Sequence, residues 1–112
     1  MLPQTETTLS QLEEKIRTAA LSAPQREELL GLTGTLRNET RPLAESDRET
    51  AESIAGFAHA ATHEALRQKN NPKLRKLAEE ALRSSVEEFE QTHPRLVETV
   101  SGLCRILANI GI

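Results

Sequence analysis

The chain has 112 residues and a formal net charge of −3, so it can hold one domain and lacks the basic surplus of a typical nucleic-acid binder. Leu and Ala dominate, whereas Trp and Tyr are absent and only two Phe occur, which favours helices over strands. No apolar run reaches the ~18 residues of a membrane span, and the N-terminal MLPQTETTL is not an apolar signal segment. We therefore expect a cytoplasmic all-α protein with neither membrane nor nucleic-acid partners.

The first two helices are expected within residues 8–43. The first is predicted to end at Leu21, and Ser22 then opens a capping box for the second. Pro42 should end the second helix near Thr40, because the residue before a proline is pushed out of the α region. The apolar positions expected to face the core are Leu9, Leu12, Ile16, Ala19 or Ala20, Leu29, Leu32, Leu36 and Leu43.

An Ala-rich third helix is predicted over residues 46–68, with a capping box formed by Ser46 and Glu49. Small residues recur in it at steps of three and four, and such a narrow stripe lets a neighbouring helix approach closely. The stripe comprises Ala51, Ile54, Ala58, Ala61 and Ala65. The KNNP that follows, residues 69–72, predicts a turn.

A C-terminal pair of helices is predicted within residues 72–112. The fourth helix should run from Pro72 to about Gln91. Its expected apolar side comprises Leu74, Leu77, Ala78, Ala81, Ser85 and Phe89, broadened by Leu82 and Val86. A basic cluster is expected at a solvated hairpin tip and comprises Lys69, Lys73, Arg75 and Lys76.

The fifth helix, Pro94 to about Asn109, has the sharpest apolar pattern in the chain. Five residues follow the a and d steps of a heptad, as in helices that pair with another helix. They are Leu96, Val100, Leu103, Leu107 and Ile110. Because a chain of this length buries a limited core, we expect this seam to form an interface between subunits.

The stretch FEQTHP, residues 89–94, permits two interpretations. Glu90 and His93 have the E-x-x-H spacing of a metal-ligand pair, but Pro94 clashes with the carbonyl of Glu90 and should break a helix there. We favour a corner in which Phe89 is the last core residue of one helix and Thr92 or His93 caps the next.

The stretch HAATHE offers His59 and His63 at a spacing that places both imidazoles on one helix face. We favour a plain surface, and keep two alternatives: a metal site that uses these histidines, and a pH-sensitive contact. Cys104 lies beside the heptad, which predicts a buried, inert thiol. No nucleophile–base pair or phosphate-binding glycine loop is evident, so we expect neither an enzyme nor a cofactor.

The C-terminal stretch VEEFEQTHPRLVETVSGLCRILANIGI resembles the end of a family of small bacterial proteins of unknown function. The matching positions are Phe89, Glu90, His93, Pro94, Leu96, Leu103, Leu107, Gly111 and Ile112. The N-terminal LSQLEEKIRTAALSAPQREELLGL is similar to that family's opening helix pair, and residues 48–72 look like an insertion that typical members lack. The resemblance implies a small helical bacterial protein and brings no catalytic residue, cofactor or substrate with it.

These observations predict one small antiparallel bundle of four to five helices, residues 1–112, completed by oligomerisation. The expected function is that of a non-enzymatic interaction or scaffold protein that acts as a homo-oligomer, with a dimer favoured. Two alternatives remain at this point. One is a small metal-binding bundle that uses His59 and His63, and the other is an adaptor that binds an amphipathic helix of a partner protein.

Overall fold

The structure, a computed structural model, describes residues 4–110 and is all-α, as the composition predicts. The helices are α1 (Gln4–Thr18), α2 (Ala23–Ser46), α3 (Arg48–Leu66), α4 (Pro72–Ser84) and α5 (Pro94–Ile110). A short 3-10 turn, Glu87–Phe89, lies between α4 and α5. Gly111 and Ile112, which belong to the family resemblance, lie outside the described residues. Within residues 4–110, no helix is both long enough and apolar enough to cross a bilayer.

Two arginines of α2, Arg37 and Arg41, form ion pairs with carboxylates of α1. Leu9, Leu12 and Ile16 of α1 are fully buried, as their spacing predicts. Arg37 of α2 reaches across to two carboxylates of α1, Glu6 at 3.0 Å and Glu13 at 2.7 Å. These two carboxylates raise the pKa of Arg37, Glu13 having the larger effect. Because all three side chains are partly shielded from water, the pairs are screened less than ordinary surface ion pairs.

Helix α2 begins at the predicted capping box, in which Ser22 and Gln25 exchange hydrogen bonds. The prediction that Pro42 ends this helix near Thr40 is wrong, because α2 continues through Pro42 to Ser46. Pro42 and Asn38, the residue whose carbonyl loses its helical partner, are both exposed, so water can satisfy that carbonyl. The missing hydrogen bond therefore lies on the solvent side of α2, where a helix tolerates it.

Helix α3 lies in the middle of the bundle and packs against α1, α2, α4 and α5. The predicted stripe of Ala51, Ile54, Ala58, Ala61 and Ala65 is buried throughout, as its spacing predicts. The N-cap is one residue later than predicted, because the side chain of Asp47 rather than Ser46 accepts the cap bond, from the amide of Thr50, and the helix begins at Arg48. Asp47 also accepts from the Thr50 hydroxyl, and both bonds lower its pKa.

Helix α4 is shorter than predicted, and it buries a different side from the predicted one. It ends at Ser84, well before Gln91. Leu82 and Val86 face the core, while Leu74 and Leu77, expected on the buried side, are 43% and 51% exposed. The sequence offers two overlapping apolar stripes on α4, and the bundle buries only one of them.

Helix α5 supplies most of the core on its side of the molecule. The heptad side chains of Leu96, Val100, Leu103 and Leu107 are at most 1% exposed within a single chain, and Ile110 packs against the core half-buried. The seam expected between subunits is therefore filled by helices of the same chain, chiefly α2, α3 and α4. A heptad shows which residues are apolar, but it does not show whether the helices that bury them belong to the same chain or to another.

Candidate interaction surface

The corner predicted from FEQTHP is present. Residues 90–93 separate the 3-10 turn from α5, which confirms the break before Pro94. The amide of His93 donates to the carbonyl of Phe89 at 2.7 Å, and the two rings meet edge to face at 5.3 Å. The carbonyl of His93 then accepts from the amide of Val97, which starts α5. Phe89 is half-buried against the core.

The predicted histidine pair lies beside α1. His59 is half-buried, and its pKa is lowered by desolvation first, then by the charges of Lys15 and His63. The ammonium of Lys15 lies 3.3 Å from Nδ1 of His63; because an ammonium can only donate, that ring nitrogen accepts. Among the described residues, no three His, Cys, Asp or Glu side chains come together in a way that could hold a metal ion.

A buried polar group joins α4 to α5. Arg75, expected at a solvated tip, is only 7% exposed and donates from Nη1 to the carbonyl of Ala108 at 2.9 Å. Glu79, one turn further along α4, is 6% exposed, and its Oε1 lies 3.9 Å from Nη1 of Arg75. Burial raises the pKa of Glu79, against the effect of Arg75. Burial likewise raises the pKa of the Cys104 thiol, which points at the Glu79 carbonyl, as expected for an inert cysteine.

The most exposed apolar surface lies on α3 and α4. Among residues 4–110, the large apolar side chains that remain exposed are Phe57 on α3 and Leu74 and Leu77 on α4. The five residues 67–71 join these two helices, which pack side by side as a hairpin. We call the outer side of this hairpin that carries Phe57, Leu74 and Leu77 the hairpin face.

Helical spacing relates the three side chains to the contacts that their helices make. On α3, His63 contacts α1, and Phe57 lies about 120° around the helix from His63, on the edge toward α4. On α4, Arg75 contacts α5, and Leu74 lies about 100° and Leu77 about 160° around the helix from Arg75, so Leu77 points outward from the bundle. Phe57, Leu74 and Leu77 are therefore exposed residues of the same α3–α4 hairpin.

Charges surround the hairpin face unevenly. Lys69, Lys73 and Lys76 are exposed near the start of α4, whereas Glu80 is exposed in its second half. The first turn of α4 contains no acidic residue. The partial positive charge of a helix N-terminus disfavours a cation such as Lys73, whereas Arg83, exposed in the last turn, is favourably placed.

A family model, Domain of unknown function (DUF4404), matches residues 25–112. The chain belongs to this family. The match includes α2 from Gln25 onward together with α3, α4 and α5, so the DUF4404 region contains the whole hairpin face. It agrees with the resemblance to an uncharacterised family, and the proposed Phe-Glu-x-x-His-Pro signature and the insertion at residues 48–72 stay predictions. No curated protein and no solved structure matches the chain.

The apolar spacing of the sequence does not predict this surface. Leu74 and Leu77 were placed in the core, and Phe57 received no role. The sequence does contain one signal, which is that α4 has two apolar stripes. One comprises Leu74, Leu77 and Ala81, and the other comprises Ala78, Leu82 and Val86. Packing on one side of the helix can bury only one of these stripes. The description of the DUF4404 family names no activity.

Proposed function

We propose that this DUF4404 protein is a non-enzymatic helical interaction protein that acts as a homo-oligomer, in its simplest form a dimer, and that the hairpin face is its contact surface. The observation that carries the proposal is that the exposed large apolar side chains among residues 4–110, Phe57, Leu74 and Leu77, all lie on the α3–α4 hairpin. Contiguous exposed apolar groups on an otherwise well-covered chain are typical of association surfaces. The heptad of α5 has no part in this contact, because helices of the same chain already bury its side chains.

The polar contacts of the chain support a non-enzymatic role. Arg37 ties α2 to α1, Arg75 binds the end of α5, and Lys15 donates to His63. Each of these side chains is engaged in holding helices together. A cytoplasmic location is part of the proposal, and the unpaired, buried thiol of Cys104 supports it.

The expected association is weak. Three large side chains per copy form a small apolar contact, below the area of a standard stable interface, so we expect a dissociation constant of about 1 μM or higher. Substitution at the face should not disturb folding, since Leu77 is half exposed in the single chain. The carboxylate of Leu77→Glu would lose its hydration on association, at a cost of several kcal/mol, and should leave the protein monomeric.

Light scattering over a roughly hundredfold range of concentration tests the proposal. The wild type should rise from the monomer mass of 12.4 kDa toward twice that mass, and Leu77→Glu should stay at the monomer mass. Gln11→Glu is the matched control, because it adds the same charge at an exposed position of α1 and should associate like the wild type. A wild type that stays monomeric throughout would contradict the proposal, as would a Leu77→Glu variant that still associates.

A further inference from the structure

We propose that the second copy docks with its α4 antiparallel to the first, about a two-fold axis that crosses α4 at Leu77, so that Lys73 of each copy pairs with Glu80 of the other. This inference rests on the proposed function, because it needs the hairpin face to be the contact surface. It adds the orientation of the partner and the residues that select it.

Three exposed residues of α4 follow one another in an order that suits an antiparallel pair. Lys73, Leu77 and Glu80 are separated by four and three residues, so they follow one another along one side of the helix. All three are exposed. Within the part of the chain that the structure describes, neither Lys73 nor Glu80 forms an ion pair. A cation and an anion thus flank the most exposed leucine, both without an oppositely charged neighbour at contact distance.

A two-fold axis makes each contact occur twice. An antiparallel pair centred midway between positions 76 and 77, half a residue from Leu77, sets position 73 against position 80. Lys73 then faces Glu80 of the second copy, and Glu80 faces Lys73. A parallel pair in the same register would instead set Lys73 against Lys73 and Glu80 against Glu80. The charges therefore favour the antiparallel pair and oppose the parallel one.

The apolar side chains lie at different levels along the hairpin, and these levels suit the same axis. With a rise of about 1.5 Å per residue, Leu74 lies ~3 Å, Leu77 ~8 Å and Phe57 ~13 Å along the hairpin from its turn. Rotation about an axis at Leu77 exchanges the two outer positions. Phe57 of one copy is thereby brought to the level of Leu74 of the other, and the two leucines at the axis meet each other. The same axis that pairs the charges also matches the apolar groups.

Antiparallel docking also accounts for the unfavourable position of the lysines on α4. In the single chain, Lys73 lies in the first turn, where the helix dipole disfavours a cation. In the antiparallel pair, that turn lies beside the C-terminal half of the other α4, which carries Glu80 together with Arg83, and partial negative charge at its end. Lys73, which gains nothing from its own helix dipole, therefore gains Glu80 as a partner between two copies.

A charge-reversal cycle tests the orientation by sedimentation equilibrium of the full chain at low salt. Lys73→Glu and Glu80→Lys should each weaken the dimer about tenfold, because each replaces two attractive contacts by two repulsive ones. The double variant Lys73→Glu/Glu80→Lys restores both pairs with reversed signs and should return to within about threefold of the wild type. Lys69→Glu, a reversal at the turn beyond the paired positions, should weaken the dimer less than Lys73→Glu does. Circular dichroism should show unchanged helicity, because all these positions are exposed.

The outcomes separate this inference from the function on which it rests. Weakening by both single reversals and recovery in the double variant supports the antiparallel pair. A wild type that dimerises, is disrupted by Leu77→Glu, and yet shows no recovery in the double variant overturns the orientation and leaves the hairpin face as the contact. Equal dimerisation of all charge variants overturns the orientation as well. A wild type that stays monomeric overturns both proposals.

Discussion

Arg75 of α4 donates a hydrogen bond from Nη1 to the backbone carbonyl of Ala108, at 2.9 Å, in the last turn of α5. The last carbonyls of a helix have no partner within the helix, and a cation placed there also interacts favourably with the helix dipole. One buried side chain thus secures the end of α5 to the start of α4. We consider this contact the main polar link of the C-terminal helix pair.

Removing this link should destabilise the protein. Arg75→Ala leaves the carbonyl of Ala108 without its donor and the buried carboxylate of Glu79 without its nearest cation, so we expect the free energy of unfolding to fall by about 2–4 kcal/mol. Urea titration followed by circular dichroism measures the change. Lys76→Ala is the matched control, because Lys76 is exposed and should alter stability by less than ~0.5 kcal/mol. Equal effects of the two variants would contradict a structural role for Arg75.

The buried carboxylate of Glu79 should make stability depend on pH. Its pKa in the folded protein is raised from 4.5 by burial, so the folded state holds this proton more tightly than the unfolded chain does. Its contribution to stability is therefore fully present below the unfolded pKa and is lost as the pH rises through the folded pKa. Relative to the wild type, Glu79→Gln should gain stability as the pH rises from about 4 toward neutrality.

Urea titrations of the wild type and Glu79→Gln at a series of pH values measure this difference. Glu88→Gln serves as the control, because it removes a carboxylate from an exposed position and should track the wild type more closely. A stability difference between Glu79→Gln and the wild type that is constant across the series would show that the carboxylate is not perturbed by folding.

The heptad of α5 should behave as core. Leu103 is 1% exposed in the single chain, so Leu103→Ala should lower the free energy of unfolding by about 2–5 kcal/mol through lost burial and the cavity left behind. Leu103→Met, which conserves volume, should cost less than ~1.5 kcal/mol. Denaturant unfolding at a low, monomeric concentration gives both values. A loss of association by Leu103→Ala with unchanged monomer stability would instead return the heptad to a subunit interface.

Pro42 is a site where stability can be gained. It interrupts the hydrogen bonding of α2 at an exposed position, so Pro42→Ala restores a donor to the carbonyl of Asn38 and should raise stability by about 1–3 kcal/mol. Pro24→Ala is the matched control, since proline in the first turn of a helix removes no helical bond and should give no such gain. Thermal melting of the two variants decides the matter. A loss of stability in Pro42→Ala would mean that α2 needs the proline for its path.

Local signals in the sequence predicted much of this fold. The small stripe of α3, the capping box at Ser22 and the break before Pro94 each depend on neighbouring residues, and each is present. Three other features depend on what lies across the bundle. Arg75 is buried because the end of α5 reaches it, α2 passes Pro42 because that side faces water, and α5 is covered by its own chain. Hydrophobic periodicity contains no information about such distant partners, which is why Leu74 and Leu77 were predicted on the wrong side of α4.

The central claim is that the hairpin face is the surface through which two copies meet, and amide NMR spectra along a dilution series test it most directly. Each backbone amide reports its own surroundings, so the residues whose signals move with concentration outline the contact. We predict concentration-dependent shifts at and around Phe57, Leu74 and Leu77, and essentially none in α1 at Leu9 and Leu12. Spectra that do not change with concentration, or changes confined to α5 or α1, would contradict the account.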